Sequence, residues 1–291
     1  MATVHIGDNT GEDFSGCEDN QIKSASNTTN YGITTLLQTG SWVYTSDLTF
    51  LLIKFSGLDS MADVADVTSA SLWLYLNATS AHTLNVIAKA LKRLWIEGGQ
   101  NAATHENDEP DSSCWLDYGS TNAWSTAGAQ HEEDDRDATV TFTVSVNQTT
   151  EYKEFNSAQL ATDVLGMING TINNYGWTLY LDTVSNSIYK EWRSSEHATD
   201  TTRPYLSVTY TVAGATLEQE GFRFRNDDGS EAAATWLATQ DTNITQAKNT
   251  NTRLRMLLNA TGDPDSTQYQ LEFKASTDPD TSWKQVQLEN N

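Results

Sequence analysis

The sequence predicts an all-β protein, and three observations support this fold class. Strand-forming residue types are abundant, since the 291 residues include 9 Trp, 11 Tyr and 8 Phe, and Thr fills many of the polar positions. Many segments alternate apolar and polar residues with a period of two. One segment alone shows the helical period. We therefore expect a jelly-roll-like β-sandwich with one short helix, followed by a small immunoglobulin-like β-sandwich.

Strands are predicted throughout the first 212 residues. In several of them Thr alternates with an apolar residue, as expected when one face of a sheet packs inside and the other meets water. A weaker helix candidate over residues 84–95 fits a strand running into a turn equally well. The predicted strands cover residues 49–55, 70–76, 83–90, 139–146, 177–181 and 205–212.

A single helix is predicted over residues 156–170. Its first turn offers Asn156 or Ser157 as the N-cap, and Asn169-Gly170 is a typical C-terminal stop. The helical period places four apolar residues on one face, which we expect to be buried: Leu160, Val164, Leu165 and Ile168.

A domain boundary is predicted near Ala213-Gly214-Ala215, which gives domains of residues 1–212 and 213–291. Beyond it, alternation resumes over residues 220–225, 233–237, 252–258 and 269–274, and the Asn-Asp-Asp-Gly of residues 226–229 predicts a hairpin. The last strand, over residues 283–288, leaves an open edge that another chain or the first domain must cover. We expect this domain to serve docking or assembly.

Four arginines of the second domain are the candidate docking residues. They alternate along predicted strands, so the members of each pair lie on one face. The alternative is a solvated face of cross-strand ion pairs with Glu220 and Glu272. The four residues are Arg223, Arg225, Arg253 and Arg255.

The charge of the chain excludes some partners. With 39 acidic and 17 basic residues, the net charge is −22. Nucleic acids and anionic membrane surfaces need a basic face, so neither is an expected partner. The first residues lack a basic start followed by an apolar run, so no signal peptide is predicted. Cys17 and Cys114 form either one long-range disulfide or two free thiols.

No familiar catalytic motif is present, and we expect a protein without enzymatic activity. Glu97, beside Trp95, is the best candidate for a desolvated glycosidase carboxyl, but a Trp-x-Glu-Gly segment is more typical of a turn with a core tryptophan. Calcium is the candidate cofactor, because acid-rich loops supply hard oxygen ligands. The alternative is a solvated acidic face. The candidate calcium ligands are Asp108, Asp111, Glu132 and Asp134.

Sugar binding requires exposed aromatic rings with polar side chains beside them. Plain packing is the alternative for each candidate ring. Trp73, Trp177 and Trp236 lie in strand patterns and are expected in the core. Arg193 and Arg203 form a candidate cationic patch that would favour an acidic glycan. The candidate aromatic residues are Trp42, Tyr44, Trp115, Tyr118 and Trp124.

An ordered series of marks in the first domain resembles the DNRLRE family of β-sandwich modules, which are assigned to carbohydrate binding. The marks include Asn30-Tyr31-Gly32, residues 67–75, residues 94–98 (Leu-Trp-Ile-Glu-Gly), and residues 192–198 leading to 203–210. The usual Thr-Trp after the Glu-Gly mark is replaced by Ala103-Thr104 and a long acidic insertion. The resemblance implies a jelly-roll-like sandwich that binds a polysaccharide.

Residues 222–231 (Phe-Arg-Phe-Arg-Asn-Asp-Asp-Gly-Ser-Glu) resemble a module of phage and environmental virion-associated proteins. This resemblance implies a phage virion surface protein, either a capsid decoration or a fibre component. Such a protein would assemble as a homo-oligomer or on capsid or tail proteins, and would touch cell-surface polysaccharide. The alternative is an extracellular carbohydrate-binding module protein of a polysaccharide-degrading system.

Overall fold

The computed structural model describes residues 1–9, 11–41, 47–104, 112–119, 122–183, 185–214, 216–230, 232–261, 271–275, 277, 279 and 283–285. The chain divides into two compact units, Met1–Thr211 and Val212–Asn291. This division lies one residue from the predicted boundary. Both units are built mainly from strands, which confirms the all-β prediction.

The first unit contains fifteen described strands and one α-helix. The strands are β1 (Ala2–Gly7), β2 (Cys17–Lys23), β3 (Thr29–Asn30), β4 (Leu36–Ser41), β5 (Leu48–Phe55), β6 (Val64–Thr79), β7 (Leu84–Ala90), β8 (Ala103–Thr104), β9 (Asp117–Gly119), β10 (Asn122–Ala123), β11 (Phe142–Val146), β12 (Tyr152–Asn156), β13 (Trp177–Leu181), β14 (Ile188–Arg193) and β15 (Tyr205–Val212). The helix α1 is Ala158–Ile168, and short 3-10 helices cover Ser24–Ser26, Ser56–Ser60 and Asp200–Thr202.

Eleven of these strands form one large curled sheet, in the order β1-β15-β6-β14-β4-β5-β13-β7-β11. Strand β12 pairs with β6, and β2 pairs with β5. The recorded pairings are antiparallel, and the register of β14 on β6 shifts between Glu191 and Trp192. Because the sixteen-residue β6 pairs with β15, β12 and β14, it links the parts of the curled sheet.

The main core fills the inside of the curled sheet. Alternate residues of β6 point into it, and Trp177 and Trp192 are fully buried there. The helix α1 packs on β6. Its cap is Ser157, whose hydroxyl accepts from the Leu160 amide at 2.9 Å, as predicted. Leu160 and Val164 are buried, while the other two residues of the predicted face are half-buried against the core.

A second apolar cluster packs on the other face of β5. It combines Phe50 and Leu52 with the fully buried Trp95 and with Trp115 and Trp124. The indole N–H of Trp95 donates to the Tyr175 carbonyl at 2.8 Å, so this buried donor is paired. The long segment after β7 is therefore packed through its tryptophans.

Both cysteines of the first unit are free and buried. Of the two alternatives for Cys17 and Cys114, the structure therefore shows two free thiols and no disulfide. Among the described residues, no helix has the length and apolar character needed to cross a membrane.

The second unit contains β16 (Thr216–Asn226), β17 (Thr252–Thr261), β18 (Glu272–Phe273) and β19 (Lys284–Gln285). Strand β16 pairs with β17 and β18 pairs with β19, both antiparallel. The predicted hairpin of β16 with residues 233–237 is confirmed in part. Arg225 and Trp236 form an antiparallel bridge, the Asn226 amide donates to the Thr235 carbonyl at 2.9 Å, and the Leu237 amide donates to the Phe224 carbonyl at 3.0 Å. Residues 233–237 do not form a strand of their own. The immunoglobulin-like arrangement stays a prediction, because the described part of this unit shows two separate strand pairs.

Candidate functional site

The outward face of the curled sheet carries a cluster of four aromatic side chains, Trp73, Tyr75, Tyr152 and Tyr205, here called the aromatic patch. Along β6, Leu72 and its alternate neighbours are fully buried, whereas Trp73 and Tyr75 are partly exposed. Because side chains alternate along a strand, the two rings point away from the core. The patch is therefore a feature of the surface.

Neighbouring strands hold the four rings against one another. Tyr152 lies opposite Tyr75 in the register of β12 on β6. The rings of Trp73 and Tyr205 are nearly parallel, at an interplanar angle of 6° with centroids 5.8 Å apart. Tyr152 meets Tyr75 and Tyr205 edge-on at 5.3 and 5.4 Å. These edge-to-face contacts fix the rings before any ligand arrives.

The Tyr152 hydroxyl anchors the patch to the chain around it. It donates to the Arg203 carbonyl at 2.8 Å and accepts from the Asn9 side-chain amide at 3.0 Å. Burial raises the pKa of Tyr152, and the neighbouring Tyr205 and Glu12 add to the shift. The phenol therefore stays protonated at neutral pH and keeps its donor.

One edge of the patch is cationic. The Arg193 guanidinium lies 4.4 Å from the centroid of Tyr75 and donates to the Thr202 hydroxyl at 2.9 Å. Arg203 donates to the His197 carbonyl at 2.9 Å. Burial lowers the pKa of His197, and both arginines lower it further. The structure thus brings together the two arginines that the sequence predicted as one patch, and it places them beside the aromatic rings.

Glu12 also lies near the patch, where its charge acts on Tyr152 and Tyr205. Burial raises the pKa of Glu12 to about 7, and the nearby carboxylates of Asp13 and Asp8 add to this effect. Within the described part of the chain, its Oε2 atom is buried without a hydrogen-bond partner. A buried oxygen of this kind is costly unless a ligand or water satisfies it. Glu12 is therefore a candidate for hydrogen bonding to a bound molecule.

This arrangement suits a ligand that has an apolar face and polar edges. Partly exposed rings supply the apolar contact, and Arg193 and Glu12 supply one donor and one acceptor beside them. A pyranose has this combination of a C–H face and hydroxyl rims. The geometry offers binding and orientation through these six side chains.

The aromatic residues predicted for sugar stacking are placed differently from the expectation. Trp115 and Trp124 are 7% and 4% exposed, so the prediction that they offer open rings is wrong. Trp115 packs edge-on against Phe50, and the Trp124 indole donates to the Cys114 carbonyl at 3.0 Å. Tyr118 is half-buried against Trp124. The candidates Trp42 and Tyr44 lie outside the described residues.

The two predicted calcium ligands that lie within the described residues, Glu132 and Asp134, each contact a basic side chain. Glu132 binds Lys89 at 2.5 Å and Arg136 at 2.9 Å, and Asp134 binds His131 at 3.2 Å. Burial acts to raise the pKa of Glu132, but the hydrogen bonds from Lys89 and Arg136 hold it below its usual value. Two basic side chains therefore already balance the charge of Glu132, which favours the alternative of an ion-paired face, and calcium binding by Glu132 and Asp134 stays a prediction. The candidates Asp108 and Asp111 lie outside the described residues.

The predicted docking arginines are engaged within their own unit. Arg223 and Arg225 lie over the ring of Trp236 at 4.0 and 4.5 Å, and Arg255 lies at 6.0 Å from it. Arg253 forms an ion pair with Asp227 at 2.7 Å. A docking role for this cluster stays a prediction.

Sequence reasoning missed the aromatic patch because Trp73 was assigned to the core. The prediction of burial is confirmed for Trp177 but is wrong for Trp73, which is partly exposed, and for Trp236, which is 41% exposed. A usable signal was present. Ser71 and Asn77 lie two residues before Trp73 and two residues after Tyr75, so the face that holds these rings begins and ends in polar residues.

In comparisons with known proteins, no family model and no curated protein matches the chain. The resemblance to the DNRLRE family stays a prediction.

Proposed function

We propose that the first unit binds a polysaccharide on the aromatic patch, as the carbohydrate-binding part of a protein that does not itself cleave the sugar. The observation that carries this proposal is the group of four aromatic side chains on the outward face of the sheet, fixed by mutual ring contacts. A rigid ring needs little ordering on binding, so stacking on a sugar costs little conformational entropy.

The net charge of the chain favours a neutral polysaccharide. The chain as a whole carries −22, which repels acidic glycans at a distance. Arg193 and Arg203 are held by hydrogen bonds at the edge of the patch, where their remaining N–H groups can donate to sugar hydroxyls. We expect neutral polysaccharides to bind, and alginate-like chains to bind more weakly.

The test is affinity measurement by isothermal titration calorimetry and gel retardation with neutral and acidic polysaccharides. Trp73→Ala removes the largest ring of the patch, and we expect a loss of affinity of at least tenfold, as is usual for a central aromatic contact. Trp236→Ala is the matched control, because it removes an exposed tryptophan from the other unit. The proposal would be refuted if both variants bound equally well, or if the unmodified protein bound none of the polysaccharides.

A place on a phage particle is the second candidate function, with the chain as a capsid decoration or fibre component. Strand β17 favours association with another protein, because Met256, Leu257 and Leu258 are 39%, 49% and 51% exposed. Light scattering on the purified protein should then show a homo-oligomer, and immunogold labelling should mark particles. A monomer that binds neither capsids nor tails would rule this candidate out.

A further inference from the structure

Three carboxylates from distant parts of the sequence meet inside the first unit, and they are here called the acid cluster. Asp19 lies on β2, Glu97 in the segment after β7, and Glu196 in the segment after β14. One oxygen from each lies within 4.8 Å of the others. Asp19 is fully buried, and the other two are half-buried. The cluster is separate from the loops that the sequence predicted as calcium ligands.

Hydrogen bonds hold the three carboxylates in place but leave oxygens unpaired. Glu97 accepts from the Asp19 amide at 2.6 Å, and Asp19 Oδ2 accepts from the Ser195 amide at 2.7 Å. The Ser195 hydroxyl donates to Glu196 Oε1 at 2.7 Å. In the described structure, Asp19 Oδ1 and Glu196 Oε2 are buried without a partner. Two unpaired oxygens at one place indicate a missing ligand.

The described part of the chain does not neutralise the acid cluster. Lys54 is the basic side chain whose charge acts on Glu97. It is already paired with Glu18 at 2.8 Å and lies over the ring of Trp95. No described lysine, arginine or histidine forms an ion pair with the three carboxylates. Uncompensated buried charge is strongly unfavourable, so the cluster needs protons or a cation.

We propose that Asp19, Glu97 and Glu196 bind a divalent cation, and that the ion is Ca²⁺. Three carboxylate oxygens within 4.8 Å of one another share a centre at most about 2.8 Å from each, so a small side-chain movement brings all three to the calcium–oxygen distance of about 2.3–2.6 Å. All three ligands are hard oxygens, which favour Ca²⁺ over softer metals. Mg²⁺ is the weaker candidate, since it demands a near-ideal octahedron at about 2.0–2.1 Å.

Two alternatives for the acid cluster fit less well. A glycosidase pair must touch the sugar, but Asp19 has no exposed surface. A site for a thiolate-loving metal would recruit Cys17, yet its sulfur is not among the clustered ligand atoms, which are three carboxylate oxygens. The cluster therefore serves to hold an ion.

Such an ion would tie together three segments of the first unit. Asn30 sits behind the cluster, donating to the Glu97 carbonyl at 2.6 Å and to the Ser113 carbonyl at 2.9 Å. Asn20 donates to the same carbonyl at 3.0 Å. This network positions the Glu97 segment against β2, and a bound Ca²⁺ would join the Glu196 segment to both. The expected role is stabilisation of the fold, independent of the polysaccharide proposal.

The test uses the full chain after treatment with a chelator. Calorimetry should detect one Ca²⁺ per chain, and saturating Ca²⁺ should raise the midpoint of thermal unfolding by about 5 °C or more, because the ion binds only the folded state. Mg²⁺ should give a smaller shift. Tb³⁺ should bind at the same place. Its luminescence should be sensitised by tryptophan, because Trp95 lies close in sequence to the ligand Glu97.

Two variants and one control make the test specific. Glu97→Gln and Glu196→Gln should each weaken Ca²⁺ binding at least tenfold, and without Ca²⁺ they should be no less stable than the unmodified chain, because each removes repulsion. Glu132→Gln, a carboxylate already neutralised by Lys89 and Arg136, should keep the full calcium response. Absence of a calcium response in the unmodified chain would overturn the proposal. So would an equal response in all three variants, which would indicate diffuse binding to the acidic surface.

Discussion

At the scale of single residues, burial decides which carboxylates of this acidic chain are informative. Many of the described acidic residues are exposed to water, where their charges perturb the fold little. Glu12 differs, because burial and the neighbouring Asp13 and Asp8 raise its pKa to about 7. The folded state thus holds the Glu12 proton at a pH where the unfolded chain has released it. This makes Glu12 a source of pH-dependent stability.

We predict the direction of that dependence. A folded-state pKa of about 7 above the usual 4.5 means that the folded state binds more protons between these values, so its stability falls as the pH rises through this window. Glu12→Gln removes this contribution. Between pH 4.5 and pH 7, the free energy of unfolding of the unmodified chain should fall by about 1 kcal/mol relative to that of the variant, after allowance for solvent screening.

Urea unfolding at a series of pH values measures this difference. Glu154→Gln is the matched control, because Glu154 is an exposed carboxylate on the same face of the sheet and its Oε1 only accepts from the Ser71 hydroxyl. A constant difference between Glu12→Gln and the unmodified chain across this range would contradict the prediction.

The arginines of the second unit also separate by burial. Arg225 is 3% exposed, donates to the Ala234 carbonyl and lies over Trp236, whereas the pair of Arg253 with Asp227 is partly exposed. Arg225→Ala should therefore destabilise the second unit by about 1–3 kcal/mol, since it leaves a buried carbonyl unpaired. Arg253→Ala should cost clearly less, because solvent screens an exposed ion pair. Thermal unfolding of the two variants checks the order, and equal losses would refute it.

At the scale of elements, the helix shows what the sequence could predict. Its period of apolar residues and its Ser157 cap are local features, and both match α1. Strand β6 shows the limit. Residues 70–76 are apolar on both faces except for Ser71, so alternation alone could not tell that Trp73 and Tyr75 point outward. The sequence also did not predict that β6 begins at Val64, because Asp66 and its polar neighbours interrupt the apolar pattern.

The cap of α1 carries a testable share of its stability. The Ser157 hydroxyl accepts from the Leu160 amide and donates to the Thr141 carbonyl. Ser157→Ala removes both bonds and should lower the free energy of unfolding by about 1–2 kcal/mol. Ser157→Thr keeps the hydroxyl and should lose much less. Chemical denaturation compares the two variants, and similar losses would show that the hydroxyl contributes little.

At the scale of the whole molecule, the acid cluster and the aromatic patch could not be predicted, because their residues lie far apart in the sequence. The acid cluster joins residues 19, 97 and 196, and the aromatic patch joins β6, β12 and β15. No local pattern connects such positions, because only the pairing order of the sheet brings them together. The domain boundary, by contrast, was visible in the chain itself, since Ala213-Gly214-Ala215 interrupts the alternation within two residues of the division between the two units.

Both apolar clusters of the first unit draw their members from residues 4–210, which implies that this unit folds by itself. We predict that residues 1–212 unfold cooperatively and keep the near-ultraviolet circular dichroism of packed tryptophans. A chain of residues 1–203 is the matched control. It lacks β15, so it loses the fully buried Leu206 and Val208 and leaves β1 without its partner strand. Losing these two side chains alone should cost about 3 kcal/mol or more, a large part of the stability of a typical domain. We therefore expect the shorter chain to be unfolded or aggregated, and a disordered 1–212 chain would show that the second unit is required for folding.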